Sequence, residues 1–326
     1  MNKLYPLRFT PILKNVLWGG NKLRTELNKT NASDKCGESW EISDVDEFSS
    51  VVANGFLEGN TLNEIVEIYM GDIVGDAVYD KFGNQFPLLI KFIDANDYLS
   101  IQVHPNDEMA EEEHGGSGKT EMWYVMDASP ESELIVGFNK EVSKEEYINK
   151  LENNKIQDIL NTEKVKKGDV FFIPAGSIHA IGSGILIAEI QQTSNITYRI
   201  FDWNRTDANG NARELNTELA LKAIDFKSNS KPKIEYIAKE NETVNLVKCP
   251  YFTTNFITFE KTIEKDYFAI DSFVVYICLE GSFLVTPADA ETVEVKKGES
   301  ILLPAVLKNI ILRPHELSKI MEVYIE

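Results

Sequence analysis

Cysteine is scarce in this chain of 326 residues, and positive charge is outweighed by negative charge. The three cysteines are widely spaced, which excludes a zinc finger and a Cys-x-x-Cys redox motif, and their odd number favours reduced thiols. The formal net charge is −19, and a chain this acidic is repelled by nucleic-acid phosphates and anionic lipid. We therefore expect no nucleic-acid partner, and an anionic ligand would need a locally basic pocket.

Long apolar segments are also missing. No run approaches the roughly 20 apolar residues that a membrane-spanning helix requires, so we expect no membrane partner. The N-terminal stretch MNKLYPLRFTPILKN has prolines and polar residues where a signal peptide needs an apolar core. Together with the cysteine pattern, this predicts a cytoplasmic location.

Short apolar runs, separated by Gly, Pro, Asn and Asp, dominate the sequence. FPLLIKFID (Phe86–Asp94) and DVFFIP (Asp169–Pro174) are two of several between residues 86 and 192, and SFVVYICLEGSFLVT is an example from the C-terminal third. Their β-branched and aromatic content is typical of strands. Many short strands at close spacing predict a mainly β protein, built as a sandwich or barrel.

Helical patterns are few and a polar linker divides the chain. The predicted helices cover Thr61–Gly71, residues 143–160 and Glu214–Asp225. Ser143 and Glu146 have the spacing of a capping box. The polar segment KSNSKPKIE (Lys227–Glu235) is typical of a linker. At about 100–200 residues per domain, we predict a first domain over residues 1–230 and a second over 231–326.

Two stretches of the chain are similar to each other. VKKGDVFFIPAGSIHA (Val165–Ala180) and VKKGESILLPAVLKNI (Val295–Ile310) share a Val-Lys-Lys-Gly start and a later Pro-Ala. A glycine after two lysines suits a tight turn, and an apolar strand follows in both copies. The repeat predicts two similar β domains. The first copy has His179 where the second has Asn309.

A candidate metal site follows from strand periodicity. Alternate residues of a strand face the same way, so Ser100, Gln102 and His104 of SIQVHPN share one face. Glu121 can point inward from a neighbouring strand, and His179 follows a Pro-Ala-Gly turn. Two imidazoles, a carboxylate and an amide oxygen suit Zn²⁺, with Fe²⁺ or Mn²⁺ as alternatives. From spacing alone, a hydrogen-bonded core histidine and a paired strand carboxylate explain the pattern equally well.

Several long motifs occur in order along the first two thirds of the chain. They are VLWGG, GESWEIS, FPLLIKFIDA, LSIQVHPND, GKTEMWYV and VKKGDVFFIPAGSIHAIGSGILIAEIQQTSNITYRIFDWNR. Together they resemble the type I mannose-6-phosphate isomerases in their shorter bacterial form. The resemblance implies two cupin-like (jelly-roll) β-barrel domains, with a few short helices in the N-terminal half. It also implies reversible conversion of mannose 6-phosphate into fructose 6-phosphate by a monomer or small oligomer.

The same resemblance assigns individual residues in the first domain. The implied ligands of one catalytic Zn²⁺ per chain are Gln102, His104, Glu121 and His179. The implied catalytic residues are Lys91, Lys119 and Arg199. The second domain lacks metal ligands, and its role beyond packing stays open.

Four questions stay open at this point. Two histidines and a carboxylate also describe the facial triad of an Fe(II) dioxygenase, although Gln102 would fill a position that dioxygen needs. A cupin that binds a sugar phosphate without turnover is weakly favoured by Asn195, which stands where many family members have aspartate. The proton carrier is Lys91 or Lys119 with a lowered pKa, or a metal-bound water. Arg199 could also simply pair with Asp202.

Overall fold

The computed structural model describes residues 3–206, 209–227 and 231–326. Within these ranges it is mainly β, and the seven α-helices all precede residue 224. The strands up to residue 234 are β1 (Phe9–Thr10), β2 (Ile12–Gly20), β3 (Cys36–Ile42), β4 (Asp44–Val45), β5 (Phe48–Ser49), β6 (Val51–Val52), β7 (Leu88–Ala95), β8 (Ile101–Val103), β9 (Glu121–Ala128), β10 (Glu133–Phe138), β11 (Leu160–Lys164), β12 (Val170–Ile173), β13 (His179–Ile181), β14 (Ile185–Gln192), β15 (Tyr198–Phe201) and β16 (Lys233–Ile234).

The remaining strands and the helices complete the architecture. The later strands are β17 (Glu242–Lys248), β18 (Thr253–Phe259), β19 (Ile263–Asp266), β20 (Val274–Glu280), β21 (Ser282–Pro287), β22 (Val293–Lys296), β23 (Ser300–Leu303), β24 (Asn309–Pro314) and β25 (Ser318–Tyr324). The helices are α1 (Lys22–Thr25), α2 (Leu62–Tyr69), α3 (Gly71–Val74), α4 (Asp76–Phe82), α5 (Asp107–His114), α6 (Lys144–Glu152) and α7 (Thr217–Ala223). None of the described helices is long and apolar enough to span a membrane.

Helices form at all three predicted places. Thr61 and Glu64 form a complete capping box at the start of α2. Ser143 accepts a hydrogen bond from the Glu146 N–H at the start of α6, which is the first half of the predicted box. The short helices α3 and α4 were not predicted, because four and seven residues are too few to show a helical period.

The chain contains two pairs of sheets that face each other. One pair is formed by strands up to residue 234, which we call the first half of the chain, and the other by the later strands, which we call the second half. In the first half, a seven-stranded sheet (β16-β12-β9-β14-β7-β2-β3) packs against a five-stranded one (β11-β10-β13-β8-β15). Ile187 of the larger sheet and Leu134 and Ile181 of the smaller one belong to the same buried cluster. In the second half, β17-β18-β25-β20-β23 packs against β19-β24-β21-β22. The mainly β, cupin-like prediction is confirmed.

The central strands β7 and β14 of the larger sheet are buried on both faces. Along β14, Ile185 and Ile187 point into the inner core of the first barrel, whereas Leu186 and Ile190 point into a core shared with the second half. Strands buried on both faces read as continuous apolar runs, which explains ILIAEI. Glu189 is two residues after Ile187 and four after Ile185, so its side chain lies on the same face of the strand and points into the barrel.

The second half packs on the outer face of that sheet. Phe273, Val275 and Met321 lie in the same buried cluster as Phe92 and Tyr124. The predicted domain boundary at residue 230 falls within 228–230, outside the described residues, and the division into 1–230 and 231–326 stays a prediction.

The two similar stretches have the same local structure. Gly168 and Gly298 have φ angles of 92° and 82°, which explains a glycine at each turn. In each copy, the residue after the glycine donates its N–H to the carbonyl three residues earlier, at 3.1 and 2.9 Å. His179 and Asn309 are the first residues of equivalent strands, β13 and β24. The repeat is therefore structural.

Candidate functional site

Strand parity brings three charged side chains into the first barrel. Lys91 on β7, Glu121 on β9 and Glu189 on β14 are each at most 4% exposed. Glu189 lies opposite Lys91 on one neighbouring strand and opposite Trp123 on the other. A buried charge is costly unless it is paired, so these residues form a connected group rather than isolated charges.

Two histidines and a glutamate meet at the centre of this group. His104, Glu121 and His179 are each 1% exposed, and their ligand atoms all lie within 4.8 Å of one another. The Nε2 atoms of His104 and His179 lie 3.6 and 3.3 Å from the two carboxylate oxygens of Glu121. Residues from β9, β13 and the end of β8 thus converge, as the sequence predicts.

Backbone carbonyls fix the orientation of both imidazoles. Nδ1 of His104 lies 2.9 Å from the Ile196 carbonyl oxygen, and Nδ1 of His179 lies 2.9 Å from the Ser177 carbonyl oxygen. A carbonyl only accepts, so each Nδ1 must carry the proton. The lone pair of each Nε2 is left facing the cluster. Metal-bound histidines in proteins are held in this way.

Gln102 completes the set of four residues predicted to bind a metal. It lies opposite His179 on the neighbouring strand, and its Nε2 is 3.2 Å from the His179 Nε2. Its Oε1 accepts a hydrogen bond from Ser100 Oγ at 3.2 Å, which confirms that the two side chains share a face. Rotating the side-chain amide of Gln102 by 180° would place its oxygen, instead of its nitrogen, beside His179 Nε2 without moving the backbone. The oxygen could then bind a metal.

Two polar atoms of the cluster fit a cation. His104 Nε2 and Glu121 Oε2 are buried and have no hydrogen-bond partner within the part of the chain that the structure describes. An unsatisfied buried polar group costs about 1–3 kcal/mol. A divalent cation would satisfy both atoms at once, and imidazole and carboxylate suit Zn²⁺.

Burial sets the protonation states of the cluster. Burial lowers the pKa of His179 to about 3, and burial together with Lys119 lowers that of His104 well below its usual value. Burial and the nearby Glu189 raise the pKa of Glu121 to about 8. Without a cation, both histidines are therefore neutral at pH 7 and the carboxyl of Glu121 is mostly protonated.

The two lysines of the cavity differ in their electrostatic surroundings. Lys91 Nζ lies 3.3 Å from Glu189 Oε1 and 3.7 Å from Glu38 Oε2. Burial lowers the pKa of Lys91, but the two carboxylates outweigh burial and raise it overall. Lys119 Nζ lies 3.7 Å from Glu121, and burial together with the positive charge of Lys91 lowers its pKa. Only Lys119 has the lowered pKa that a proton carrier needs.

Arg199 lies at the edge of the same cavity. Its guanidinium donates to Ser100 Oγ at 3.3 Å and to the Glu214 carbonyl at 2.9 Å. Asp202, the alternative partner considered from the sequence, is instead bound by Arg205 and Arg213. Arg199 therefore has no carboxylate partner among the described residues, and it can bind an anion.

One cavity of about 340 Å³ connects these groups. Its lining includes the sequence-predicted residues Lys91, Gln102, Lys119, Glu121 and Arg199. His104 and His179 are not among its lining residues, but their ligand atoms lie within 4.8 Å of that of Glu121, which is. The cavity is the size of a small-molecule site, and its polar side chains converge on one region.

Sequence reasoning missed three charged residues of the cavity lining. They are Glu38, Glu189 and Arg213. Glu189 was detectable as the only carboxylate in the apolar run ILIAEI, and Glu38 lies in the quoted motif GESWEIS. Arg213 lies beyond the last quoted motif, and its contact with Asp202 depends on a loop whose path the sequence pattern does not define.

A buried His–Glu–His cluster inside a jelly-roll barrel defines the class of the protein as a cupin with a candidate metal site. Comparison with known proteins gives the family. A model of the phosphomannose isomerase type I catalytic domain matches residues 7–140. The mannose-6-phosphate isomerase ManA of Bacillus subtilis is 39% identical over 254 residues, which cover 76% of this chain and 78% of that protein.

Two further comparisons extend over nearly the whole chain. The putative mannose-6-phosphate isomerase YvyI of Bacillus subtilis is 33% identical over 324 residues, 94% of this chain and 96% of that protein. The crystal structure of the mannose 6-phosphate isomerase from Bacillus subtilis superposes with a TM-score of 0.85 at 32% identity, covering 98% of this chain and 99% of that one. The chain belongs to the phosphomannose isomerase type I family.

Proposed function

We propose that this protein interconverts mannose 6-phosphate and fructose 6-phosphate. The observation that carries the proposal is a single cavity that joins a candidate metal cluster to two lysines and an arginine. The names of the relatives support the same substrate pair. Neither the dioxygenase nor the non-catalytic alternative receives support from the family.

The candidate metal is Zn²⁺, one per chain. Gln102, His104, Glu121 and His179 would hold it. When bound, zinc would polarise the sugar carbonyl and stabilise the negative charge that develops on its oxygen. The remaining chemistry depends on side chains of the chain itself.

The reaction requires a proton to move between two neighbouring carbons. Open-chain mannose 6-phosphate loses a proton from C2 and C1 gains one, while O1 gains a proton and O2 loses one, so that the aldehyde at C1 becomes a ketone at C2 through an enediol(ate). Lys119 is the proposed proton carrier, because a carrier works best when its pKa lies near the working pH. Lys91, kept charged by Glu189 and Glu38, supplies a fixed positive charge beside the sugar.

Arg199 is the proposed phosphate-binding residue. A guanidinium forms two parallel hydrogen bonds to a phosphate group, which fixes orientation as well as position. Ser100 Oγ accepts a hydrogen bond from Arg199 Nε and helps to orient the guanidinium. A local cation at the cavity edge overcomes the repulsion of an anionic substrate by a chain of net charge −19.

A coupled assay of mannose 6-phosphate conversion tests the proposal. We expect turnover in the metal-replete protein and little turnover of unphosphorylated mannose. The Arg199→Gln variant should raise KM for mannose 6-phosphate more than it lowers kcat. Metal-replete, folded protein that binds mannose 6-phosphate without converting it would contradict the isomerase function and favour the sugar-phosphate-binding alternative.

A further inference from the structure

A second cavity of about 380 Å³ lies between the two halves of the chain. Its walls are the N-terminal residues 8–13, the loop 28–31 that follows α1, and the turn of the second repeat at Lys296–Ser300. None of its lining residues lines the candidate active site. Its size matches that of the first cavity, so it can accept a ligand of similar dimensions.

Positive charge is concentrated in this second cavity. The charged residues of its lining are the cations Arg8, Lys29, Lys296 and Lys297 and the carboxylates Glu41 and Glu299. The chain as a whole carries a net charge of −19. A locally positive cavity on such a protein attracts anions that the rest of the surface repels.

The ion pairs in the cavity differ in strength. Lys29 and Glu41 form a buried pair at 2.7 Å, with side chains 9% and 4% exposed.

By contrast, Arg8 lies 3.4 Å from Glu299, and Lys297 lies 3.9 Å from Glu26, in partly exposed pairs. Long, exposed pairs contribute little. Arg8 and Lys297 are therefore free to turn toward a bound anion, while the buried pair forms the floor. The fourth cation, Lys296, pairs with Glu294 at 3.0 Å.

Neutral groups in the cavity suit the rest of a small organic ligand. Asn28, Thr30 and Asn31 line it, and within the described residues their side chains form no hydrogen bonds. Phe9 and Leu13 provide apolar walls. Cations beside neutral donors and a short apolar wall match a phosphate ester on a small carbon skeleton.

Strand β3 separates the two cavities. Glu38 lines the candidate active site, whereas Glu41 lines the second cavity. Ser39 follows Glu38 directly in the strand, so its side chain leaves the opposite face. Ser39 Oγ donates to Glu41 Oε1 at 2.5 Å, which places the Glu41 carboxylate on that opposite face. The second cavity is thus a neighbour of the first but not part of it.

We propose that this second cavity binds a small phosphorylated metabolite, with Arg8 and Lys297 holding its phosphate group. The ligand would bridge the two halves of the chain, because Arg8 precedes β1 and Lys297 follows β22.

Isothermal titration with glucose 6-phosphate tests this site, in protein carrying Arg199→Gln so that the first cavity binds phosphate poorly. We expect about one site per chain in this background. Adding Arg8→Gln and Lys297→Gln should weaken binding at least about tenfold, because hydrogen bonds to charged groups are stronger than neutral ones. The matched control is Lys167→Gln, which changes the equivalent lysine of the first repeat and should leave the affinity unchanged.

Three results would overturn the proposal. The first is that glucose 6-phosphate does not bind in the Arg199→Gln background. The second is that its affinity is the same with and without the Arg8→Gln and Lys297→Gln substitutions. The third is that unphosphorylated glucose binds as tightly as glucose 6-phosphate. Melting curves of each variant show whether it is folded. Lys297→Gln alone, at a partly exposed position, provides a second test if the combined variant is unstable.

Discussion

The two barrels share a turn, a strand and a glycine conformation, yet they differ at one equivalent position. In the first barrel His179 is buried beside Glu121. In the second, Asn309 is exposed at the start of β24. The common features belong to the fold, because they are kept where the histidine is absent. The histidine belongs to the site, since only the first barrel provides partners for it.

The two barrels also differ in how fully their buried polar side chains are hydrogen-bonded. In the second, Glu322 accepts hydrogen bonds from Tyr267 at 2.5 Å and Asn255 at 2.8 Å, and it pairs with Lys265 at 2.8 Å. In the first, His104 Nε2 and Glu121 Oε2 have no hydrogen-bond partner among the described residues. A satisfied network stabilises a fold, whereas an unpaired imidazole nitrogen beside an unpaired carboxylate oxygen fits a bound cation.

The largest expected effect comes from making the first barrel resemble the second. His179→Asn should reduce isomerase activity by about 1,000-fold or more, because losing a metal ligand should exceed the 10- to 100-fold cost of losing a supporting residue. Asn309→Ala should leave activity unchanged. Coupled assays of both folded variants measure the difference, and equal activities would remove the distinction between the two barrels.

A second test compares one ion-paired lysine from each barrel, Lys119 and Lys265. Lys119→Met should lower kcat by about 100-fold, at the lower end of the range for general acid–base catalysis. Lys265→Met, which removes the partner of Glu322, should lower the melting temperature instead and leave kcat of the folded protein near wild type. An unchanged kcat in Lys119→Met would exclude Lys119 as the proton carrier.

A third test uses the raised pKa of Glu121. Below about pH 8 the metal-free carboxyl is mostly protonated, and it must lose that proton to bind a cation. The histidines are already neutral, so they release none. Zinc binding at pH 7 should therefore release about one proton, and the release should fall as pH rises through 8. Calorimetry in buffers of different ionisation enthalpy measures it; release that does not change between pH 6 and 9.5 would contradict the assignment.

The smallest expected effect is a difference in stability between alanine substitutions at the two turn glycines, Gly168 and Gly298. Both glycines have positive φ, so alanine at either costs about 1–2 kcal/mol. At Gly298 the added Cβ would also lie 2.7 Å from Leu27 Cβ, whereas at Gly168 its nearest contact would be Tyr236 Oη at 3.7 Å. Gly298→Ala should therefore destabilise the protein by about 1–3 kcal/mol more than Gly168→Ala. Denaturant unfolding compares them, and equal losses would show that Leu27 moves aside.

Much of this architecture could be predicted from local pattern. Alternation along SIQVHPN placed Gln102 and His104 on one face, and the repeat predicted two similar β domains. The partners of Lys91 could not be predicted, because Glu38 and Glu189 come from two other strands. The direction of the Lys91 pKa shift depends on those distances, so only the fold could distinguish Lys91 from Lys119.

The metal content of the purified protein, never exposed to chelator, tests the central claim most directly. Elemental analysis of the wild type should give about one zinc per chain, and His179→Asn prepared in the same way should give much less. The absence of any bound metal from active wild-type protein would contradict the claim that the first barrel is a metal site.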